Sequence, residues 1–382
     1  MIEPWKYLSV LKGLQAEYGA LVALEPAESA TVTALVQLWH RLPKLDANDQ
    51  TPGSDIDANS EQGELFGMPR GEAVWRRLSG QLLSKVKDKW DPDRPVLLDG
   101  EWLEDAVAYE TVLDNCRMSG RRPLPVTGLG RAEAYQAVIS RAVRADGGGV
   151  VLRLGRDDFR GRAPNEVKEL INGWLGSLGL RPDEVDVVLD LRSIEKLFRE
   201  RDELFAEAML RTLPHLHDWR NLALVGSGIP VNAKGFQADD ITPFARPEWW
   251  LWLALRQRLK VIGRIPVFGD YGVIHPDRVE AIGNTKAYSR IPAILYTSHD
   301  DYLMVRGRDL NRGWTPADER RLFQRLLDGP DWCGPTFSKG DEWIADVALG
   351  RDGPGGWMTW KRTGECHHWT YVSRQLANQL DF

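Results

Sequence analysis

The segment Arg264–Tyr271, RIPVFGDY, decides how this chain is organised, because an apolar strand in it runs directly into polar residues. Ile265–Phe268 predicts a short buried strand that continues into Gly269, Asp270 and Tyr271. The same order recurs upstream, where an apolar run ends on a polar residue and a helical pattern follows. The polar residues that end those runs are Lys12, Asp99, Arg153, Asp190 and Ser227. The chain therefore reads as a repeated strand–helix unit.

Eight apolar runs of this kind predict eight strands. They lie near residues 7–11, 32–38, 95–99, 123–127, 150–153, 185–191, 221–226 and 262–268. The runs are continuously apolar, as in parallel strands that are covered on both faces. No Gly-x-Gly-x-x-Gly follows the first run, which disfavours a dinucleotide-binding sheet. The pattern predicts an α/β fold, a (β/α)8 TIM-like barrel.

The segments between the strands have helical spacing and predict the outer layer of the barrel. These helices lie near residues 15–24, 75–86, 104–118, 131–145, 165–178, 193–213 and 247–259. Residues 1–290 would form the barrel, with a polar loop insertion near 45–70. Residues 291–382 would form a C-terminal α+β extension packed on the barrel. We expect two strands within 291–306, a helix at 316–327, a loop-rich stretch at 328–356 and a closing helix at 367–380.

Composition narrows the class of protein. With 43% hydrophobic and 27% charged residues, the chain is typical of a globular fold. No apolar run approaches the roughly 20 residues of a membrane helix, and no basic-then-apolar leader opens the sequence. We therefore expect a protein that does not bind membranes. Three widely spaced cysteines argue against a disulfide framework, so we expect it to be cytoplasmic. A net charge of −6 gives no general attraction to nucleic acid, although a local basic site stays open.

In a parallel barrel the carboxyl ends of the strands meet at one mouth, where the chemistry of such proteins is concentrated. The predicted ligand-binding residues are Lys12, Asp99, Arg153, Arg192, Ser227, Tyr271 and Arg306. Lysine and arginine suit an anionic ligand such as a phosphate. Asp190 and Asp270 are the candidate catalytic residues, as general base or as ligand of a divalent cation, with magnesium or manganese the candidate cofactors. Strands eight and one are neighbours in a closed barrel, so Asp270 and Lys12 are expected to lie near each other.

A structural interpretation stands beside this one. Strand-end charges also form ion pairs that only stabilise the fold, such as Asp190 with Arg192 or Arg153. The turn Gly226–Gly228 offers backbone N–H groups to an anion, but it lacks the surroundings of a nucleophilic serine.

Metal chemistry is disfavoured by spacing. The Asp-rich loop at 45–60 lacks the glycine and glutamate positions of an EF-hand. Cys366-His367-His368 has no second cluster at zinc spacing, so no metal site is assigned.

Several motifs resemble one known family. Tyr7–Gly13 (YLSVLKG) with Glu17–Leu21, Phe268–Gly272, Met304–Gly307 and His367-His368 are similar to the beta family proteins of bacteria and tailed phages. These motifs span most of the chain. The resemblance implies a cytoplasmic, bacterial or phage-linked protein involved in phage–host conflict. It implies no reaction, cofactor or catalytic residue.

Two hypotheses of function follow. The first is a barrel enzyme acting on a phosphate-bearing ligand, such as a nucleotide or a nucleic-acid end, held by the cations of the mouth. The second is a non-enzymatic recognition or scaffold protein that binds a phage or host protein. The enzyme hypothesis predicts that the polar strand-end residues converge around one pocket, whereas the recognition hypothesis predicts that they form ion pairs on the surface.

Overall fold

The computed structural model describes residues 3–39, 69–91, 93–103, 105–194, 199–233, 235–277, 291–309 and 313–380. The predicted polar insertion near 45–70 lies almost wholly outside these ranges. Among the described residues, no helix combines the length and the apolar character needed to cross a membrane.

Eight parallel strands close into a barrel, which confirms the predicted (β/α)8 architecture. They are β1 (Tyr7–Leu11), β2 (Val32–Trp39), β3 (Val96–Trp102), β4 (Pro123–Thr127), β5 (Val150–Gly155), β6 (Val185–Ser193), β7 (Asn221–Ser227) and β9 (Val267–Asp270). The barrel closes where β1 pairs in parallel with β9, through Leu8 opposite Gly269 and Ser9 opposite Asp270.

Helices cover the outside of this barrel. They are α1 (Gln15–Ala23), α2 (Pro26–Thr31), α3 (Arg70–Leu78, continued by a π-helical turn over Ser79–Leu83), α4 (Ala106–Met118), α5 (Glu133–Asp146), α6 (Pro164–Leu178), α7 (Arg199–Thr212), α8 (Pro247–Gln257) and the short α9 (Leu259–Ile262). Helix α4 begins at Asp105, whose carboxylate accepts the N–H groups of Val107 and Ala108 at 3.0 and 3.1 Å. Helix α5 ends at Gly147, whose φ of 57° is the left-handed stop expected of a glycine.

A second sheet lies outside the barrel. It has three antiparallel strands in the order β10 (Ala293–Thr297), β11 (Asp301–Arg306), β8 (Asp240–Ala245). Three further helices follow: α10 (Pro316–Leu327), α11 (Lys339–Ala348) and α12 (Trp357–Leu380). Helix α12 packs against α1 and α2 of the barrel and against β10 of the second sheet. Residues on both sides of position 290 thus build this sheet, and the division of the chain there stays a prediction.

Four segments differ from the expectations. Strand eight begins at Val267, because Leu259–Ile262 forms a helical turn. Strand β8 escaped notice because Pro243 interrupts its pattern, and β8 is an edge strand, where a missing N–H is tolerated. The stretch expected to be loop-rich contains α11, and the closing helix begins at Trp357, ten residues before the expected start at His367.

The barrel wall has apolar residues on both faces, and the two-residue period of a strand assigns each side chain to one face. Leu8, Val10 and Leu35 belong to the cluster inside the barrel. Tyr7 and Leu11 belong to the cluster between the barrel and its helices. A polar residue at a strand end therefore reaches the interior only if it continues the inner series.

Candidate functional site

The mouth at the carboxyl ends of the strands gathers polar side chains that continue the inner apolar series. Position 12 continues the series of Leu8 and Val10, and position 153 follows Val151 by two residues. By the same period the inner polar set is Lys12, Gln37, Asp99, Arg153, Asp190, Ser227 and Tyr271. All are buried. Six of these seven were predicted to bind ligand or to act as the base, and the structure places them on the same face of the wall.

Arg153 is the centre of this set. Its Nη1 donates to Asp99 Oδ2 at 2.6 Å, and its Nη2 donates to Asp190 Oδ2 at 2.6 Å. Nη2 also donates to the hydroxyl of Tyr271 at 2.7 Å, and that hydroxyl donates to Asp190 Oδ2 at 2.7 Å. Four side chains from β3, β5, β6 and the turn after β9 thus form one buried network. The predicted alternative pairing of Asp190 with Arg153 is present in it.

The network keeps Asp190 charged. Burial alone would raise the pKa of this carboxyl, but the charge of Arg153 and the hydrogen bond from Tyr271 outweigh burial, so the pKa lies below its usual value. Burial also raises the pKa of the Tyr271 phenol well above its usual value, so the phenol stays protonated. A carboxylate held in this way is a weak base at neutral pH and a good anchor for its partners.

Lys12 is the unusual group of the mouth. Its Nζ donates to the carbonyl oxygen of Pro276 and lies 4.1 Å from the centroid of the Trp102 ring. Burial, followed by repulsion from Arg192 and Arg153, lowers the pKa of the Lys12 amine from 10.5 to about 7. At neutral pH a large fraction of the amine is uncharged, which suits it to proton transfer.

Arg192 lies at the rim of the same mouth. Its Nε donates to Asp277 Oδ1 at 3.0 Å, and its side chain is 40% exposed. Its backbone N–H donates to Asp190 Oδ1 at 2.8 Å, and its φ of 55° is in the left-handed region, which costs a non-glycine residue about 1–3 kcal/mol. The guanidinium is thus held at the solvent edge above the buried network.

Ser227 is buried, and its hydroxyl is already hydrogen-bonded to the backbone of its own chain. Its Oγ accepts the N–H of Ile229 at 3.2 Å. The N–H of Gly228, predicted to be available to an anion, donates to Glu248 Oε2 at 2.8 Å. The carboxylate of Glu248 therefore occupies this part of the anion-binding turn.

Asp270 points away from the mouth. It pairs with Ser9 in register, and both side chains leave the barrel wall on the outer face. Its carboxylate accepts the hydroxyl of Tyr7 at 2.7 Å and the N–H of Gly272 at 2.9 Å. The strands at whose ends Lys12 and Asp270 lie are neighbours, as expected, but the two-residue period turns the Lys12 side chain inward and the Asp270 side chain outward.

A second buried network surrounds Asp270, between the barrel and α12. His368 Nε2 lies 2.9 Å from Asp270 Oδ2, and His368 Nδ1 lies 2.8 Å from Thr297 Oγ1. Because a carboxylate only accepts, Nε2 carries the proton and Nδ1 accepts from the threonine hydroxyl. Burial lowers the pKa of His368, which keeps this ring neutral.

The neighbouring His367 has a different pairing. Its Nδ1 lies 3.0 Å from Asp341 Oδ2 and its Nε2 lies 2.8 Å from the carbonyl oxygen of Thr297. Both partners are acceptor oxygens, one on the Asp341 carboxylate of α11 and one on the backbone of β10. The adjacent histidines thus join α12 to the second sheet, to α11 and to the barrel wall.

Arg306, the remaining predicted ligand-binding residue, belongs to the second sheet. It ends β11, opposite Asp240 of β8, and its Nη1 donates to the carbonyl oxygen of Phe236 at 2.6 Å. The structure therefore does not bring Arg306 together with the Arg153 network.

Sequence reasoning missed two residues of the mouth. Gln37 is 1% exposed, pairs in register with Asp99, and neither atom of its amide has a hydrogen-bond partner within the described chain. A buried unpaired amide costs about 1–3 kcal/mol, which favours a role in binding. Trp102 forms one wall of the Lys12 site. Gln37 follows the inner Leu35 by two residues, and this spacing could have predicted that its side chain faces the barrel interior.

The described residues contain no group of three or more His, Cys, Asp or Glu side chains arranged to hold a metal ion. Asp99 and Asp190, the inner carboxylates that could serve a divalent cation, are paired with Arg153. These donors do not fit the magnesium or manganese considered from the sequence.

Fold and site together define an eight-stranded parallel α/β barrel with a buried charged network at its carboxyl mouth. The family model described as "Beta protein" matches residues 7–374, nearly the whole chain, and the chain belongs to that family. No curated protein matches the chain significantly.

Proposed function

We propose that the protein is a barrel enzyme that binds a phosphate-bearing ligand, such as a nucleotide or a nucleic-acid end, at the mouth. The observation that carries this proposal is the convergence of three cationic side chains from different strands. Lys12 follows β1, Arg153 lies on β5 and Arg192 on β6, and both arginines are close enough to lower the pKa of Lys12. Cationic side chains that cluster at one mouth favour an anionic ligand there.

The geometry gives each group a different part. Arg192, half-exposed at the rim, is the residue that meets the phosphate. Lys12 is better matched to proton transfer than either aspartate, because its pKa of about 7 is near neutral pH. Asp190 holds Arg153 and Tyr271 in place. Asp270 lies on the outer face, and we assign it a structural role.

The setting is part of the same proposal. Three free cysteines fit a reducing cytoplasm, and membership of the beta family favours a bacterial or phage-linked role in phage–host conflict.

Binding of phosphate-bearing ligands tests the proposal. A panel of nucleotides, short oligonucleotides with 5′-phosphates and inorganic phosphate is titrated by calorimetry, and turnover of bound members is then assayed. We expect Arg192→Met to weaken binding at least tenfold, about 1.4 kcal/mol. Arg181→Met is the matched control, because Arg181 precedes the same strand at its other end and has an exposed ion pair with Asp183. Equal loss in both variants, or no binding by the unaltered protein, would contradict the proposal.

The second candidate is the recognition or scaffold protein. It is favoured by the way Arg153 is already satisfied by Asp99, Asp190 and Tyr271 of its own chain. This candidate predicts a stable complex with a phage or host protein that survives Arg192→Met and Lys12→Met. A complex lost with either substitution would place the partner at the mouth and favour the enzyme.

A further inference from the structure

The amine of Lys12 is placed as a nucleophile rather than as an ion-pair partner. Asp99 and Asp190 are paired with Arg153. Glu17 is engaged with backbone, because its two carboxylate oxygens accept the N–H groups of Lys12 and Leu14 at 2.9 and 2.7 Å. Among the described residues, these three carboxylates near Lys12 are therefore engaged with other groups.

The surroundings of the amine nitrogen shield it from solvent and lower its pKa. Its Nζ lies between the rings of Trp102 and Tyr271, 4.1 and 5.5 Å from their centroids. Only 3% of the residue is exposed, and the side chain contacts the carbonyl of Pro276. Burial is the largest cause of its lowered pKa, followed by Arg192 and Arg153. An amine made neutral in this way has a free lone pair near pH 7.

We propose that Lys12 forms a Schiff base with an aldehyde or ketone group of the ligand, so that the substrate class is a phosphorylated carbonyl compound. This inference rests on the proposed function, since Arg192 at the rim would hold the phosphate of the same molecule. Lys12 is buried, the Arg192 side chain is 40% exposed, and the two are near enough for the charge of Arg192 to lower the pKa of the Lys12 amine. A ligand that carries both groups spans the two.

The chemistry balances without a further reactant. The lone pair of Lys12 Nζ attacks the carbonyl carbon, a C–N bond forms, and the electron pair of the C=O bond moves to the oxygen. The two protons of the neutral amine leave with that oxygen as water, and a C=N bond remains. The Tyr271 hydroxyl, held between Arg153 and Asp190 on a ring whose centroid is 5.5 Å from Lys12 Nζ, would orient the departing oxygen.

Borohydride trapping tests the inference on the full-length protein. Pyridoxal 5′-phosphate is the probe, sodium borohydride reduces any imine to a stable amine, and peptide mapping locates the label. We expect Lys12 to be labelled at least tenfold faster than the exposed Lys6, which lies on the same N-terminal segment. The rate should rise with pH through about 7 and then level off. Equal labelling of both lysines would overturn the inference.

Two further arms separate this inference from the proposed function. Pyridoxal without the phosphate should label Lys12 at least tenfold more slowly, and inorganic phosphate should protect Lys12 from the phosphorylated probe. If both aldehydes label Lys12 equally fast, the Schiff base stands and the phosphate site fails. If nucleotides bind through Arg192 but Lys12 is not labelled preferentially, the phosphate site stands and the Schiff base fails.

Substitution completes the test. Lys12→Met and Lys12→Arg should both lose the fast label while they keep the circular dichroism of the unaltered protein, and Lys6→Met should keep the fast label. A fast label that survives in Lys12→Arg would contradict the assignment to Lys12.

Discussion

Two buried polar networks lie on opposite faces of one barrel wall, and they begin one residue apart. Tyr271 faces the interior and joins Arg153 and Asp190, whereas Asp270 faces outward and joins His368 of α12. The inner network has an exposed rim at Arg192, and Lys12 beside it has a depressed pKa. The outer network joins helices and sheets. Two consecutive residues, Asp270 at the end of β9 and Tyr271 after it, thus belong to a structural junction and to a candidate site respectively.

Removal of the central cation should have the largest effect. Arg153→Met leaves the buried Asp190 without its cationic partner and leaves Asp99 with Arg131 alone, so we expect a loss of about 3–5 kcal/mol in the free energy of unfolding. Urea denaturation at pH 7 measures it. Arg160→Met is the control, because Arg160 follows the same strand but its side chain is 68% exposed, and it should change stability by less than about 0.5 kcal/mol. A similar small change in both would show that the inner charges are not buried together.

The outer network should respond in stability alone. Asp270→Asn turns one acceptor into a donor that faces the Tyr7 hydroxyl and His368, so we expect a loss of about 2–3 kcal/mol. Labelling of Lys12 by pyridoxal 5′-phosphate should keep its rate in this variant. A labelling rate that falls tenfold while stability is unchanged would move Asp270 into the site.

Lys12 should leave a signature in the pH dependence of stability. Its pKa is about 7 in the folded chain and about 10.5 when exposed, so between these values the unfolded state binds more protons and stability rises with pH. From pH 7 to pH 9 this contributes about 2 kcal/mol, at about 1.4 kcal/mol per unit for one proton. Lys12→Met should lack the increase, as seen in the difference between the two unfolding curves. Parallel curves over this range would mean that the pKa of the Lys12 amine is not lowered in the folded protein.

The smallest effect should have the opposite sign. Gln37→Met removes a buried amide without partners, so we expect a gain of about 1 kcal/mol in stability together with weaker ligand binding. Gln136→Met is the matched control, because Nε2 of Gln136 donates to the carbonyl oxygen of Gly128 at 2.8 Å, and this variant should lose about 1 kcal/mol. Thermal unfolding separates the two. Destabilisation by Gln37→Met would show that its amide is satisfied in the folded protein.

Much of the barrel was predictable because each repeat is a local pattern. The strands at 123–127 and 221–226 agree with the structure within one residue at each end, since a short apolar run between turn residues admits few alternatives. Strand β8 was missed because Pro243 hides an edge strand, and α11 because only its cap, Ser338 with Asp341, marks its start.

The candidate site was predictable in part. The carboxyl ends of parallel strands meet at one mouth, which predicts that Lys12, Asp99, Arg153 and Asp190 lie there. The structure joins Asp99 and Asp190 directly to Arg153. The position of a residue at a strand end does not by itself say which face of the barrel wall its side chain lies on. The two-residue period does, and applied strictly it would have removed Asp270.

The sequence by itself determined the repeated units, their closure into a barrel and the mouth at which charges collect. These follow from spacing within short segments, where sterics and hydrophobic burial leave few choices. Only the tertiary structure decided that Asp270 meets His368, 98 residues away, and that Lys12 lies between two rings while nearby carboxylates pair elsewhere. Such pairings depend on how distant elements pack, and no local pattern encodes that packing.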